Sequence, residues 1–196
     1  MHVWLVRHGE TEWSESGRHT GRTDVPLLPR GEHQAVAVGR WLARVAPHAA
    51  LVLTSPLARA AQTCRLAGFG AEAETCDDLV EWDYGGYEGR TTEQIREHRS
   101  GWTLWADGVP GGETAADVGR RADRVIERVI GAGRDVVLFS HGHFLRVLAA
   151  RWVGLPPVGG RVVALGAGAV CELGWERETP VVVRWNVVVG PPDVQG

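Results

Sequence analysis

Two histidines stand in the same local context. His8 closes the run VWLVRHG and His141 closes VVLFSHG, each an apolar stretch that ends in His-Gly. A short apolar run bounded in this way reads as a buried strand, so both imidazoles are delivered to strand ends. If the two strands are neighbours, about 4.8 Å apart, the rings face one site. Gly9 and Gly142 would let a ligand approach the backbone closely. His141 also precedes a helical run, residues 143–153, whose first N–H groups and dipole favour an anion.

A histidine nucleophile attacks in its neutral form, and neighbouring cations disfavour the protonated ring. Arg7 adjoins His8, and Arg59, within TSPLARAAQT, falls on the first turns of a helix that follows a strand. Guanidinium groups bind phosphate through paired donors. They also meet the charge that spreads over a transferring phosphoryl group, so no metal is required. The implied chemistry is phosphoryl transfer to a histidine. The eight histidines show no ligand spacing of the H-x-x-x-H kind beside a carboxylate, and neither a metal nor a cofactor is expected.

These residues need a scaffold that brings distant strand ends together. The sequence predicts strands over 3–6, 50–54 and 135–140, and helices over 31–46, 57–67, 91–98, 113–130 and 143–153. Further strands are predicted over 161–165, 169–175 and 180–189. Strands alternating with helices imply an α/β fold. The expectation is a three-layer sandwich, with a mostly parallel central sheet flanked by helices and an antiparallel edge from the late strands. Such sheets hold ligands at the carboxyl ends of their strands. The apolar run 181–189 reads as a buried strand in preference to the edge of a homodimer.

The chain has 196 residues, enough for one domain spanning 1–196, with 44% hydrophobic and 23% charged residues. A net charge of -3 gives no reason to expect nucleic acid or an acidic membrane as partner. No stretch approaches the ~20 apolar residues of a membrane span. Cys64, Cys76 and Cys171 lack metal-ligand spacing and read as reduced thiols, with the cytoplasm as the default compartment.

The run LVRHGETEW resembles the RHG signature of the histidine phosphatase superfamily, in its phosphoglycerate-mutase-like branch. SGRHTGRTDVPL, TSPLARAAQT, LVEWDYGGYEG and FSHGHFLR follow in the family's order, from Leu5 to Arg146 overall. The resemblance implies that fold and a phosphohistidine on His8. It places Arg7, Arg59 and His141 in the phosphate pocket, with Gly142 beside them. It makes Glu81, in the L-x-E-x-x-x-G pattern from Leu79 to Gly85, the proton donor. A carboxylic acid suits that task because it protonates a leaving alkoxide and then activates water. From the residues alone Asp83 and Glu88 compete for the role. Thr20 and Gly21 match a loop that contacts substrate phosphate. The position after Trp13, commonly Asn in the mutases, is Ser14 here and has shorter reach.

Phosphatases and mutases share the phosphohistidine, but a mutase must shield it from water. Cofactor-dependent mutases of the family usually carry a long basic insertion after the acid motif. Here residues 89–111 are short, with Arg90, Arg96 and Arg99 as their cations. The expected activity is hydrolysis of small phosphate monoesters, sugar phosphates among them, so the partner is a small phosphorylated substrate. The alternatives are a phosphoglycerate mutase and a non-catalytic phosphate-ester-binding module. The motifs are most similar to actinobacterial acid phosphatases and fungal sedoheptulose-bisphosphatase-like enzymes. Trp13, His19, Trp82, Tyr84 and His143 are the candidates for lining the pocket. Specificity is assigned to the loops around His19, 81–86 and 102–114.

Overall fold

The structure, a computed structural model, describes residues 1–46 and 51–190. In chain order its elements are β1 (Val3–Arg7), α1 (Glu12–Glu15), α2 (Pro29–Val45), β2 (Leu51–Thr54), α3 (Ala58–Leu66) and β3 (Ala73–Thr75). They continue with α4 (Thr92–Arg96), α5 (Leu104–Asp107), α6 (Ala115–Ala132), β4 (Val136–Ser140), α7 (Gly142–Trp152), β5 (Ala169–Glu176) and β6 (Thr179–Val188). The six strands form one sheet in the order β3-β2-β4-β1-β5-β6. The four strands from β3 to β1 pair in parallel, and β5 and β6 add the expected antiparallel edge.

Alternation along the central strands builds a core on each face. Val3, Leu5, Leu51, Leu53, Val136 and Leu138 join the cluster that holds α6 and α7. Trp4, Val6, Val52, Val137 and Phe139 join the cluster with Val38 and Leu42 of α2 and Cys64 of α3. Burial on both faces explains why these strands read as unbroken apolar runs. The helices carry their own boundary signals. Pro29 opens α2, Thr114 and Asp117 form a capping box on α6, and Gly133 closes α6 at a left-handed φ of 63°.

Two expectations are overturned. Residues 161–165 form no strand: a 3-10 turn covers Pro157–Val162 and an irregular segment follows. Side chains take the carbonyls a ladder would need, since Arg146 reaches Gly160 and Arg161, Trp185 reaches Ala164, and Arg7 reaches Leu165. β6 is a strand, but it is the outermost one and leaves Val182, Val183 and Val188 exposed. It also bulges at Asn186, where φ is 55° and the side chain holds the Gly166 N–H. β3, α1 and α5, at three or four residues each, were too short to show a period. The strand start at residue 50 and most of the Pro/Gly-rich run 190–196 lie outside the described residues.

β4 sits between β1 and β2, with Leu138 fully buried. Leu138→Ala should therefore cost roughly 2–5 kcal/mol. The expected reading is a lower urea midpoint with an unchanged m-value; a loss below about 1 kcal/mol would contradict the packing described.

Candidate active site

β1 and β4 run in register, with Arg7 level with Ser140. The His8 N–H extends the ladder by donating to the Ser140 carbonyl at 3.0 Å. The imidazoles of His8 and His141 then lie 5.3 Å apart between centroids, tilted by 57°. Both side chains are buried. The His8 Nδ1 stands 2.8 Å from the Gly9 carbonyl. A carbonyl only accepts, so Nδ1 carries the proton and Nε2 keeps its lone pair. Burial holds the His8 imidazole well below the usual histidine range, and Arg7 and Arg59 push it the same way. The neutral ring expected from arginine proximity thus rests on burial first. His141 is depressed for the same leading reason, with Arg59 adding to it.

The guanidinium of Arg59 is fully buried and donates to the carbonyls of Thr20, Gly21 and Thr23 at 3.0, 2.9 and 3.0 Å. Arg7 donates to the Leu165 carbonyl. Nε of each arginine and Nδ1 of His141 are buried with no partner among the described residues. An unpaired buried donor costs about 1–3 kcal/mol, so the two arginine Nε–H groups suit an anion with several acceptor oxygens.

Glu81 reaches the same place from the loop after β3. Its Oε1 accepts from the Trp82 and Phe144 amides, both at 2.9 Å, and its Oε2 from the His143 amide at 3.1 Å. The carboxylate therefore caps the N-terminus of α7. This corrects one expectation: the anion on that helix end is the chain's own acid, leaving few of its amides for a ligand. The competing carboxylates are spent elsewhere. Asp83 binds the Arg22 guanidinium and the Gly85 amide, and Glu88 accepts from the Gly21 and Thr23 amides.

A cavity of about 280 Å³ is lined by Arg7, His8 and Glu81, with Ser14, Thr20, Gly142, His19, Tyr84 and His143 around them. Gly21 is absent from its wall, because Glu88 occupies the Gly21 amide and a Cβ there would meet that carboxylate at 2.6 Å. Ser14 lines the cavity, but its hydroxyl closes the capping box of α1 by accepting from the Thr11 amide at 2.8 Å and also donates to the Thr11 carbonyl at 2.9 Å. Gly9 serves packing rather than ligand access, since a Cβ there would meet the Gly31 carbonyl at 2.2 Å. Gly142 gives room to the Arg7 guanidinium, 3.3 Å from the position of a Cβ. Trp13 and Trp82 do not line the cavity, and Trp82 donates to the Glu113 carbonyl in the core. No residue of 102–114 lines it either, although Trp105 packs against His143 and under the Arg146 guanidinium.

Gly17, Arg18, Thr92, Arg146 and Leu165 complete the lining and were assigned no role from sequence. Arg146 had a signal, one helical turn after the second His-Gly on the face of His143. Arg121 was also missed. From α6 it pairs with Glu113 at 2.8 Å and donates to the carbonyls of Asp78, Val80 and Glu81. Glu113 in turn accepts from the Asp83 amide at 3.0 Å. The pair thus holds the backbone on both sides of Glu81.

A model of the histidine phosphatase superfamily (branch 1) matches residues 3–188 of the chain. An acid phosphatase of Mycobacterium tuberculosis is 42% identical over 88% of this chain and 86% of that protein. A sedoheptulose 1,7-bisphosphatase of Saccharomyces cerevisiae is 39% identical over 77% and 67% respectively. Among solved structures, the product of an open reading frame of Mycobacterium tuberculosis superposes with a TM-score of 0.91, at 38% identity over 96% of this chain and 98% of that one. A mycobacterial glucosyl-3-phosphoglycerate phosphatase superposes with a TM-score of 0.84, at 27% identity over 94% and 98%.

Arg121→Met leaves the Glu113 carboxylate half-buried and unpaired. It should lower folding stability by roughly 3–5 kcal/mol in urea unfolding; a cost within 0.5 kcal/mol would mean the clamp is idle. A second expectation concerns pH. His8, His141 and His143 are held well below 6.5 and His19 at about 4, all chiefly by burial. Below about pH 6.5 the unfolded imidazoles bind protons that the folded ones refuse. Stability is therefore full above that value and lost as pH falls toward the folded values. His19 alone accounts for roughly 3 kcal/mol of the loss. Unfolding at pH 5 should take up protons in calorimetry across buffers, and no uptake would contradict buried neutral rings.

Proposed function

The chain belongs to the histidine phosphatase superfamily, and we propose on that premise that it is a phosphatase whose nucleophile is His8. The observation that carries the reading is one constellation. A buried neutral imidazole with its Nε2 lone pair uncommitted stands among Arg7, Arg59 and His141, the two arginines each with an inner N–H that lacks a partner among the described residues, and Glu81 opens on the same cavity. The sequence similarity to an acid phosphatase and a sugar bisphosphatase supports it.

In the first step Nε2 of His8 forms a bond to phosphorus. The bond from phosphorus to the leaving oxygen breaks, and Glu81 gives that oxygen a proton. The guanidinium groups of Arg7 and Arg59 and the His141 ring meet the charge on the transferring phosphoryl oxygens. In the second step water attacks the phosphohistidine. Glu81, now ionised, takes the proton from water, the N–P bond breaks, and phosphate departs. The two guanidinium groups supply the positive charge and the neutral His141 ring only a polar contact, so the reading is metal-independent.

Hydrolysis is favoured over a mutase because none of the three cations of 89–111 lines the cavity; Arg96 binds the Trp102 carbonyl and Arg99 pairs with Asp107. The substrates fitting a cavity of about 280 Å³ are small phosphate monoesters, sugar phosphates among them.

Hydrolysis of p-nitrophenyl phosphate in excess chelator tests the reading. His8→Ala should abolish it, and an alkaline quench of wild type should trap a phosphohistidine. Glu81→Gln should lower kcat about 10²–10⁴-fold for alkyl phosphates and much less for p-nitrophenyl phosphate, whose leaving group needs no proton. Retained activity in His8→Ala would overturn the assignment.

A further inference from the structure

His143 is half-buried between aromatic neighbours and takes no part in the steps above. Its ring centroid lies 5.5 Å from Trp105, 5.9 Å from Tyr84 and 6.4 Å from Trp82, so the imidazole is fixed in orientation. Nδ1 stands 2.7 Å from the Tyr84 hydroxyl. Burial holds His143 neutral and Tyr84 un-ionised, so the two nitrogens and the phenol share two protons. The Tyr84 hydroxyl has no other hydrogen-bond partner among the described residues and its residue is 2% exposed. Turned away from Nδ1, its proton would lose that one partner. The phenol therefore donates to Nδ1, and the ring's own proton sits on Nε2. Nε2 has no partner among the described residues and is not enclosed, and His143 lines the cavity.

The location of this donor matters. The amide of His143 is the one that binds Oε2 of Glu81 at 3.1 Å. The imidazole thus hangs from the residue that orients the acid. A group on the leaving alcohol, one or two atoms from the oxygen that Glu81 protonates, falls to it.

We propose that His143 is a specificity residue, a neutral Nε2–H donor that selects phosphate esters bearing a hydroxyl or carbonyl oxygen beside the scissile phosphate, with Tyr84 as the positioning residue that sets its tautomer. The assignment rests on the phosphatase reading and adds a substrate class to it: esters of polyols rather than of plain alcohols. A neutral donor suits this task, because an imidazolium in the same place would attract the phosphate itself.

A matched pair of substrates tests it. Glycerol 2-phosphate and isopropyl phosphate share a carbon skeleton and differ in the hydroxyls beside the ester. Wild type should prefer the former by about tenfold or more in kcat/KM, the worth of one hydrogen bond of about 1.4 kcal/mol. His143→Phe should remove most of that preference, and His143→Gln, which keeps a donor, should restore part of it. Tyr84→Phe, which deletes one oxygen, should reduce the preference mainly through KM for glycerol 2-phosphate. Hydrolysis of p-nitrophenyl phosphate by each variant reports an intact fold and phosphoenzyme. A preference that survives His143→Phe, or its absence in wild type while p-nitrophenyl phosphate is hydrolysed, would overturn the assignment and leave the phosphatase reading standing. A wild type inert toward all three esters would overturn both.

Discussion

The His8 amide donates to the Ser140 carbonyl at 3.0 Å, one step past the paired ends of β1 and β4. Through that bond two segments more than a hundred residues apart present their histidines at 5.3 Å. Had β4 slipped by one residue, its side chains would exchange faces, and Ser140 would stand where His141 does. Such a slip would exchange the residues of the two core clusters and take the Ser140 hydroxyl from the Leu79 carbonyl to which it donates at 2.7 Å. The core thus sets the catalytic register, and both helical layers contribute to it.

Burial then fixes the charge states. Two arginines and two histidines share the site, and desolvation leads the shift for each of them. It drives the imidazoles neutral while the guanidinium groups, whose ordinary value is 12.5, remain charged. One physical cause therefore yields neutral imidazoles beside charged guanidinium groups. The carbonyls of residues 20, 21 and 23 hold Arg59 without neutralising it, because they offer dipoles and no countercharge.

Much of this was legible in the residues. The paired His-Gly motifs, the parallel sheet and the antiparallel edge follow from apolar runs with clear ends. Residues 161–165 misled because VVAL satisfies a strand pattern, whereas Arg7, Arg146 and Trp185 from elsewhere claim its carbonyls. Glu81, Asp83 and Glu88 look alike in sequence, and only the backbone amides facing each of them tell them apart. Arg121 was hidden for a related reason. α6 carries Arg120, Arg121, Arg124 and Arg128, and helical period alone does not say that one of them turns inward to grip the acid loop. Such polar contacts depend on chain segments brought in by the fold, and local pattern does not encode them.

The cap on α7 joins these themes. A helix N-terminus aimed at the site would be expected to hold substrate phosphate, yet Glu81 occupies its amides. The substrate anion is left to guanidinium groups and imidazoles, and the helix end is used to aim the acid. The arrangement ties the position of Glu81 to that of His141, since both are anchored at the first turn of one helix. Arg121 and the Ser140 hydroxyl tie the acid loop to α6 and β4 in turn. His8, His141 and Glu81 are therefore referred to the same pair of strands, and relative motion among them would have to break the sheet or uncap the helix.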